Sequence, residues 1–477
     1  MRTSLLVLSL VAVVGFFMAC KKSDDAEEAP AGPPIKNVVL ISIDTLRPDR
    51  LGLYGYDRPV SPNLDAFGRA GVVFEECVSQ APWTAPSHAS MLTSLYPSAL
   101  NIGKFSNPGK VSEAANMLPE VFLGAGYRTC ASTGGGYVAK ELGFGQGFEE
   151  YRTYKKMREN VDHVLNWFDS SDATKPFFVF LHTYEVHHYA PPPEFAEKFV
   201  RPYDGPVKEQ PNVAKFVQNY QNRDEISAFT AADWRYVSDL YDACLASVDV
   251  AMGRFFEEMK KRGIYENTLF VLTSDHGEEF GERGYSGHGY TLYDENVLVP
   301  LIIHHASIGT KRIDVQARVL DAAPTIVDFA GLVTPTEYQG ISLREVMNGA
   351  RANLVAYSEN AHSPVKSVRT SDRKYIISTK DPQRMLFDLA ADAGEASDIA
   401  GDEIGAEERR MRRGMASWIE GNQRMMRSKA ATTTNMTDEM KEELDALGYL
   451  GGSGGTPAVG GADWLKLLKA EAPEKKD

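Results

Sequence analysis

The sequence predicts an α/β protein: a doubly wound, mostly parallel central sheet flanked by helices, followed by a small C-terminal α+β subdomain. Three features of the chain point there. Short β-branched apolar runs end abruptly in acidic residues or histidine, helix-patterned segments lie between them, and beyond Gly340 the pattern changes to brief runs separated by turn residues.

The first run, KNVVLISI at 36–43, ends at Asp44 and has the unbroken apolar character of a strand buried on both faces. FFVFL at 177–181 leads to His182, TLFVLT at 268–273 leads to Asp275 and His276, and VPLII at 299–303 leads to His304. Between these runs, Ser61 caps a helix over 62–70, and the segment 233–261 carries Leu240, Cys244 and Val248 on one helical face. Short runs at 367–370, 374–378 and 385–389 then precede a charged helix through Trp418. Past Ser428, Thr and Gly clusters flank one short helix capped by Thr437 and stopped at Gly448, so the end of the chain reads as a surface-attached or mobile tail. The expected divisions are a leader at 1–19, a tether at 20–34, the main domain at 35–345, the subdomain at 346–425 and the tail at 426–477.

Hydrophobic residues make up 43% of the chain and charged residues 24%, the balance of a globular protein able to bury a large core. A formal net charge of -14 offers no broad cationic field, which excludes nucleic acid as an expected partner and requires any anionic substrate to be held locally. Arg2 precedes an apolar run at 5–19 that is short for a membrane span and reads as a signal peptide. Its end, Phe17-Met18-Ala19-Cys20, resembles the cleavage and lipidation site of bacterial lipoproteins, although Phe17 and Met18 are bulkier than that site usually carries; a plain signal peptide with an incidental cysteine is the alternative. The charged, Pro/Ala-rich stretch after Cys20 is a tether with too little apolar surface to fold. The implied address is an exported lipoprotein anchored in a membrane, at its periplasmic or outer-membrane face. Cys77, Cys130 and Cys244 are odd in number and widely spaced, so no disulfide framework follows, and Cys244 is expected to be buried as a small hydrophobe.

In an open α/β sheet, ligands bind beyond the carboxyl ends of the strands. Asp44 and the pair Asp275-His276 both stand there. Each alone is equally a helix cap or a turn residue, but two carboxylates and an imidazole emerging together call for a cation between them, and a divalent metal is the economical choice. The stretch Pro82-Trp83-Thr84-Ala85-Pro86-Ser87-His88 then opens a helix. A hydroxyl at Thr84 faces unsatisfied amides and the positive end of the helix dipole, where a tetrahedral anion is also stabilised; capping by Thr84 or Ser87 is the simpler alternative.

That stretch resembles the sulfatase signature, in which Cys or Ser, any residue, Pro, Ser and Arg open a helix, and more widely the alkaline-phosphatase superfamily. The segment from Asn37 to Asp49 resembles the first metal-binding strand of that family, and Ser274-Asp275-His276-Gly277-Glu278 resembles the second. Departures matter as much as matches. Sulfatases convert their Cys or Ser to formylglycine, and Thr84 cannot be converted in that way, so its own alkoxide has to act. Thr45 stands for a second metal-binding aspartate, His88 for the arginine that supports the nucleophile, and Thr133-Gly134-Gly135-Gly136-Tyr137 for the Gly-Lys-Trp-His motif. These changes make the site similar to relatives with a threonine nucleophile, such as nucleotide pyrophosphatase/phosphodiesterases and lipoteichoic acid synthases. The resemblance implies a metal held by Asp44, Thr84, Asp275 and His276, with Mn or Zn suiting the donors best and Ca or Mg acceptable. It implies His187 or His188 as the contact to the transferred group, and His288 as an anion ligand or general acid where sulfatases often carry lysine. Glu185, His187 or His188 and His288 would supply a second cation if there is one; His304 and His305 read as structural.

Three functions remain from this reading. The residues favour a metal-dependent hydrolase or transferase of phosphate-type esters through Thr84, and the family label favours a sulfuric ester hydrolase. The third is a catalytically inactive lipoprotein that binds glycans or lipids, against which the complete quartet of metal donors argues. The substrate is in any case an anionic ester, on a glycan, a lipid head group or a small molecule. Export and lipidation make one outcome testable at once: mass spectrometry of the N-terminal peptide from the native host is expected to find Cys20 as the lipid-modified first residue.

Overall fold

The computed structural model describes residues 34–103, 105, 107–170, 172, 174–218, 223–379, 384–430, 436–447 and 461–469; the leader, Cys20 and Gly448 lie outside them. The first eleven strands are β1 (Asn37–Ile43), β2 (Val72–Val78), β3 (Arg128–Thr133), β4 (Glu150–Thr153), β5 (Phe177–Thr183), β6 (Thr268–Thr273), β7 (Glu279–Phe280), β8 (Ser286–Gly287), β9 (Leu298–His304), β10 (Lys311–Ile313) and β11 (Ala317–Arg318). The main sheet has the order β10-β2-β9-β6-β1-β5-β3-β4, with β11 also paired to β2, while β7 and β8 form a small hairpin. Every pairing in the main sheet is parallel except those of β9 with β2 and β6.

Helices cover both faces, so the central strands are buried on each side and read as continuous apolar runs. Val38 and Leu40 of β1 pack with Ala85, Met91 and Leu92 of the helix Thr84–Thr93 and with Ile326 of the helix Ala322–Phe329. Val39, Ile41 and Ile43 pack on the opposite face with Phe67 of Pro62–Arg69, Val164 of Met157–Ser170, and Val248 and Phe255 of Ala231–Lys261. That last helix starts with a capping box, in which Thr230 accepts from Asp233 N and Asp233 reaches back to Thr230 N. Cys77, Cys130 and Cys244 are all buried and free.

Two expectations need correction. VPLII at 299–303 lies within β9, which runs against its neighbours, so His304 comes out at the opposite end of the sheet from Asp44 and binds Ala70 O through Nδ1 at 2.8 Å. A two-sided apolar run does not encode direction, which is why the sequence pattern missed the reversal. The strands β2, β3 and β4 were also hidden: Glu75 and Glu76 break the register of β2 between Phe74 and Cys77, and β3 reads RTCAST.

The remaining strands, β12 (Ala356–Asn360), β13 (Val365–Arg369), β14 (Arg373–Ser378) and β15 (Arg384–Asp388), form an antiparallel sheet in sequence order. One face packs on the helix Ala406–Lys429 through Tyr375, Ile377, Met415 and Trp418. The other meets Val78, Leu292 and Val297 of the main body through Val365, Ile376 and Phe387. Where one short tail helix was expected, the described residues hold two. Asp438–Ala446, capped by Thr437, buries Met440 and Leu444 in the main core, and Gly461–Lys469 buries Trp464 and Leu468 against the second sheet's helix.

A buried ionic cluster fastens this sheet in place. Lys374 Nζ, with 0% exposure, lies 2.6 Å from Asp294 Oδ1 and 2.7 Å from Glu395 Oε1, while Arg369 bridges Asp294 and Glu76. Removing one member of such a cluster strands its partners without compensation. Lys374→Ala is therefore expected to lower the unfolding free energy by about 3–5 kcal/mol, read from urea denaturation against wild type.

Candidate active site

Register builds the site. β1 and β6 pair in parallel with Ser42 opposite Thr273, so the chain emerges two residues later as Asp44 beside Asp275. Both carboxylates have 0% exposure. Thr45 turns the chain out of β1 in the left-handed region, at φ 58, a strained conformation for a residue other than glycine. Its amide donates toward Asp275 Oδ1 at 3.4 Å, its hydroxyl donates to Asp44 O at 2.7 Å, and Leu46 N donates to Ser274 Oγ at 2.9 Å. The side chain standing where the resemblance places a second aspartate is thus turned back onto its own backbone.

The helix Thr84–Thr93 begins at the same edge, with extended Trp83 as its N-cap and Thr84 as its first residue rather than the residue before it. Ser87 pins the helix by donating to Asp275 O at 2.6 Å. Thr84 Oγ1 then lies 3.2 Å from Asp44 Oδ2, toward which it donates, and 3.4 Å from His276 Nε2. His276 Nδ1 faces Gly277 O at 2.9 Å; a carbonyl accepts only an N–H, so Nδ1 is protonated and Nε2 is the nitrogen turned to the carboxylates.

Four more histidines surround this core. His88 places Nδ1 3.0 Å from Thr84 O and 3.3 Å from Asp275 Oδ2, and Nε2 2.9 Å from Ser42 Oγ, so it meets Thr84 at the backbone carbonyl. His182 accepts from Gly134 N at Nδ1 and directs Nε2 toward Asp44 Oδ2, 3.7 Å away. The His288 ring is 4.2 Å from that of His276, and its Nδ1 is 3.0 Å from both Glu278 Oε1 and Gln218 Nε2. His187 packs against His288 at 5.0 Å, whereas His188 stands a step further out, beside Tyr184 and His187. Glu185, expected among second-cation ligands, is turned toward the helices instead, accepting from Met157 N at 2.8 Å and Ser247 Oγ at 2.7 Å. Four participants carried weak signals or none. Ser42, two residues before Asp44 on the same strand face, and Glu278, three residues after Asp275, were legible as polar residues beside the motifs; His182 lay at the end of its run, but Gln218 had no local signal at all.

The electrostatics follow from enclosure. Burial, reinforced by Asp275 and Glu278, raises Asp44 well above the ordinary carboxylate range. Burial acts to raise Asp275 too, but His276 and His88 beside it hold it well below. His276 is raised against the pull of burial by Asp275, while burial lowers His88, His182, His187 and His288. Among the described residues Asp44 Oδ1 is buried without a hydrogen-bond donor, and ligand atoms of Asp44, Asp275 and His276 all lie within 4.8 Å of one another. Two oxygens and an imidazole around an unsatisfied carboxylate oxygen fit a divalent cation.

Fold and site together define a doubly wound α/β protein with a cation-ready centre at its strand carboxyl ends. The sulfatase family profile matches residues 36–332, and the profile described as N-sulphoglucosamine sulphohydrolase, C-terminal, matches 281–418. An ulvan-active sulfatase of Formosa agariphila is 25% identical over 443 residues, covering 82% of this chain and 82% of that protein. Among solved structures, a protein in complex with its substrate D-glucosamine-2-N,6-O-disulfate superposes with a TM-score of 0.64 at 19% identity, covering 83% of this chain and 98% of its own. The phosphonate monoester hydrolase of Agrobacterium radiobacter does so with a TM-score of 0.64 at 18% identity, covering 85% and 98%. The chain belongs to the sulfatase family and is an ester hydrolase of the sulfatase type.

Because Asp44 and His276 are both raised, the cation-free site holds protons at pH values where ordinary carboxylates are bare, and a cation has to displace them. Binding is therefore expected to release protons and to weaken as pH falls. Titration calorimetry of Mn or Zn in buffers of differing ionisation enthalpy checks this; a buffer-independent heat contradicts it.

Proposed function

We propose that the enzyme cleaves a phosphate-type or sulfate ester through a covalent intermediate on Thr84, with one divalent cation held by Asp44, Thr84, Asp275 and His276. One observation carries the reading: the Thr84 hydroxyl, at the start of a ten-residue helix, lies within 3.4 Å of both Asp44 and His276. Thr84 is the first residue of that helix, after the extended N-cap Trp83, and it directs its proton to Asp44.

A divalent cation bound there would lower the pKa of the Thr84 hydroxyl and offset charge on the transferred group. Thr84 Oγ1 attacks the central atom, its proton passing to Asp44, the nearest acceptor. As the new bond forms, the bond to the leaving oxygen breaks, and that oxygen takes up a proton from solvent. Water then cleaves the Thr84 ester and restores the hydroxyl; an acceptor alcohol in place of water would make the enzyme a transferase. The amides of the first turn and the dipole of the helix stabilise the equatorial oxygens throughout. His88 serves as the support for Thr84, through the carbonyl it binds.

Threonine cannot become formylglycine, which favours a phosphate-type centre. The relatives favour sulfate on a glycan: one is named for ulvan and another was solved with a sulfated glucosamine, while the phosphonate monoester hydrolase supports the first reading. The cation reads as Mn or Zn from the donor set, and lipidation at Cys20 would hold the enzyme at the periplasmic or outer-membrane face.

A panel of 4-nitrophenyl sulfate, 4-nitrophenyl phosphate, bis(4-nitrophenyl) phosphate and an aryl phosphonate, assayed with each metal, is expected to give turnover that Thr84→Ala lowers by at least about a thousandfold. Thr84→Ser should keep part of it, and Asp275→Ala should lose both activity and metal by elemental analysis. The mass of a Thr84 peptide trapped from a quenched reaction identifies the transferred group. Near-wild-type turnover by Thr84→Ala would end the covalent mechanism.

A further inference from the structure

His182 stands next to last in β5, opposite Ser42 of β1, and is fully buried beside the Asp44 carboxylate. Gly134, which follows β3, donates its amide to His182 Nδ1 at 3.1 Å. An N–H meets only a lone pair, so the ring proton sits on Nε2. Among the described residues that Nε2–H has no hydrogen-bond acceptor. Its closest carboxylate contact is Asp44 Oδ2 at 3.7 Å, too long for a hydrogen bond, and the same oxygen takes the Thr84 hydroxyl at 3.2 Å. Both nitrogens of His88, by contrast, are engaged by Ser42, Thr84 O and Asp275.

A buried donor left without an acceptor is costly to keep and calls for an explanation. The arrangement around it is built rather than incidental. A Cβ on Gly134 would come within 2.5 Å of Tyr184 Cδ2, so only glycine brings that amide against the imidazole without a shift of Tyr184. The ring itself is held at right angles to His88, with centroids 4.8 Å apart, and edge to face on Tyr184 at 4.8 Å.

We propose that His182 is a further catalytic residue, whose Nε2–H is a fixed, uncharged donor to Thr84 Oγ1 while that oxygen is negative: after its proton has passed to Asp44 and before its bond to the central atom forms, and again as water displaces it from the ester. The Gly134 amide sets the tautomer, and no proton leaves the ring. A donor aimed where charge develops, and idle before it does, stabilises the transition state more than the ground state. His182 is thereby distinguished from His187 and His188, which the resemblance offers for contact with the transferred group. The inference rests on Thr84 as the nucleophile.

Two measurements test it. In the wild-type holoenzyme with 15N-labelled histidine, the His182 ring is expected to show a protonated Nε2 and a bare Nδ1; a proton on Nδ1 overturns the proposal without recourse to any variant. Kinetics on whichever of 4-nitrophenyl sulfate or bis(4-nitrophenyl) phosphate the wild type turns over should give His182→Ala a kcat about 100-fold lower, KM within about threefold and unchanged metal content. His182→Gln, which restores an N–H, should regain about tenfold of that loss. Wild-type kcat in His182→Ala alongside an inactive Thr84→Ala removes His182 alone, and loss of metal with activity makes it a ligand rather than a donor. Turnover by Thr84→Ala removes the nucleophile instead.

Discussion

The pairing of β1 with β6 leaves Asp44 and Asp275 no choice of neighbour. Parallel strands in fixed register deliver both carboxylates to one point at the sheet's edge, with Ser42 opposite Thr273 two residues earlier, and enclosure on both faces removes the water that would screen them. Two buried like charges do not coexist unaided. Around this conflict the rest of the centre is arranged: His276 and His88 flank Asp275, Thr45 takes a strained turn so that its amide faces the same carboxylate, and burial with Asp275 beside it raises Asp44 well above the ordinary carboxylate range. The scaffold supplies the rigidity that such a conflict requires, since a carboxylate on a mobile loop would swing away to solvent.

The helix that carries Thr84 is held by the same strands. Ser87 donates to the backbone carbonyl of Asp275, and His88 joins Thr84 O to Ser42 on β1. Thr84, the Asp44–Asp275–His276 cluster and His88 are therefore held as one body, the condition under which a hydroxyl gains from preorganisation rather than from chance encounter. The second sheet is tied to this body at a distance, through Lys374, Arg369 and the acidic groups between them.

Much of this was legible before any coordinates. Residues that end fully apolar strands announce themselves, because a strand buried on both faces has nowhere else to put a charge, and so Asp44, Asp275 and His276 stood out with Thr84 at a helix start. The direction of β9 did not, since a two-sided apolar run is identical in either sense. Partly polar strands such as β2 and β3 lacked the contrast that periodicity needs. Gln218 reaches His288 from a segment 70 residues away, and Gly134 reaches His182 across 48, so neither contact leaves a local trace. His182 itself was visible as the polar end of FFVFL, but only the amide on Nδ1 reveals which nitrogen faces the site.

The replacement of cationic side chains by imidazoles gives the pocket its chemical character. Where the sulfatase resemblance places an arginine and a lysine, this chain has His88 and His288, and burial lowers the pKa of each. With both imidazoles held low, charge compensation falls to the first-turn amides, the helix dipole and any cation that Asp44, Asp275 and His276 bind. An ester bearing one negative charge, such as a sulfate monoester, a phosphodiester or a phosphonate monoester, asks less of such a pocket than a doubly charged phosphate monoester does. Glu278, enclosed beside His288 and raised by its burial, adds no compensating charge, and the corresponding positions hold no guanidinium or ammonium to offset a second full negative charge on the substrate. Both leading readings of the substrate, sulfate and a singly charged phosphate-type ester, fall on the permitted side of that line.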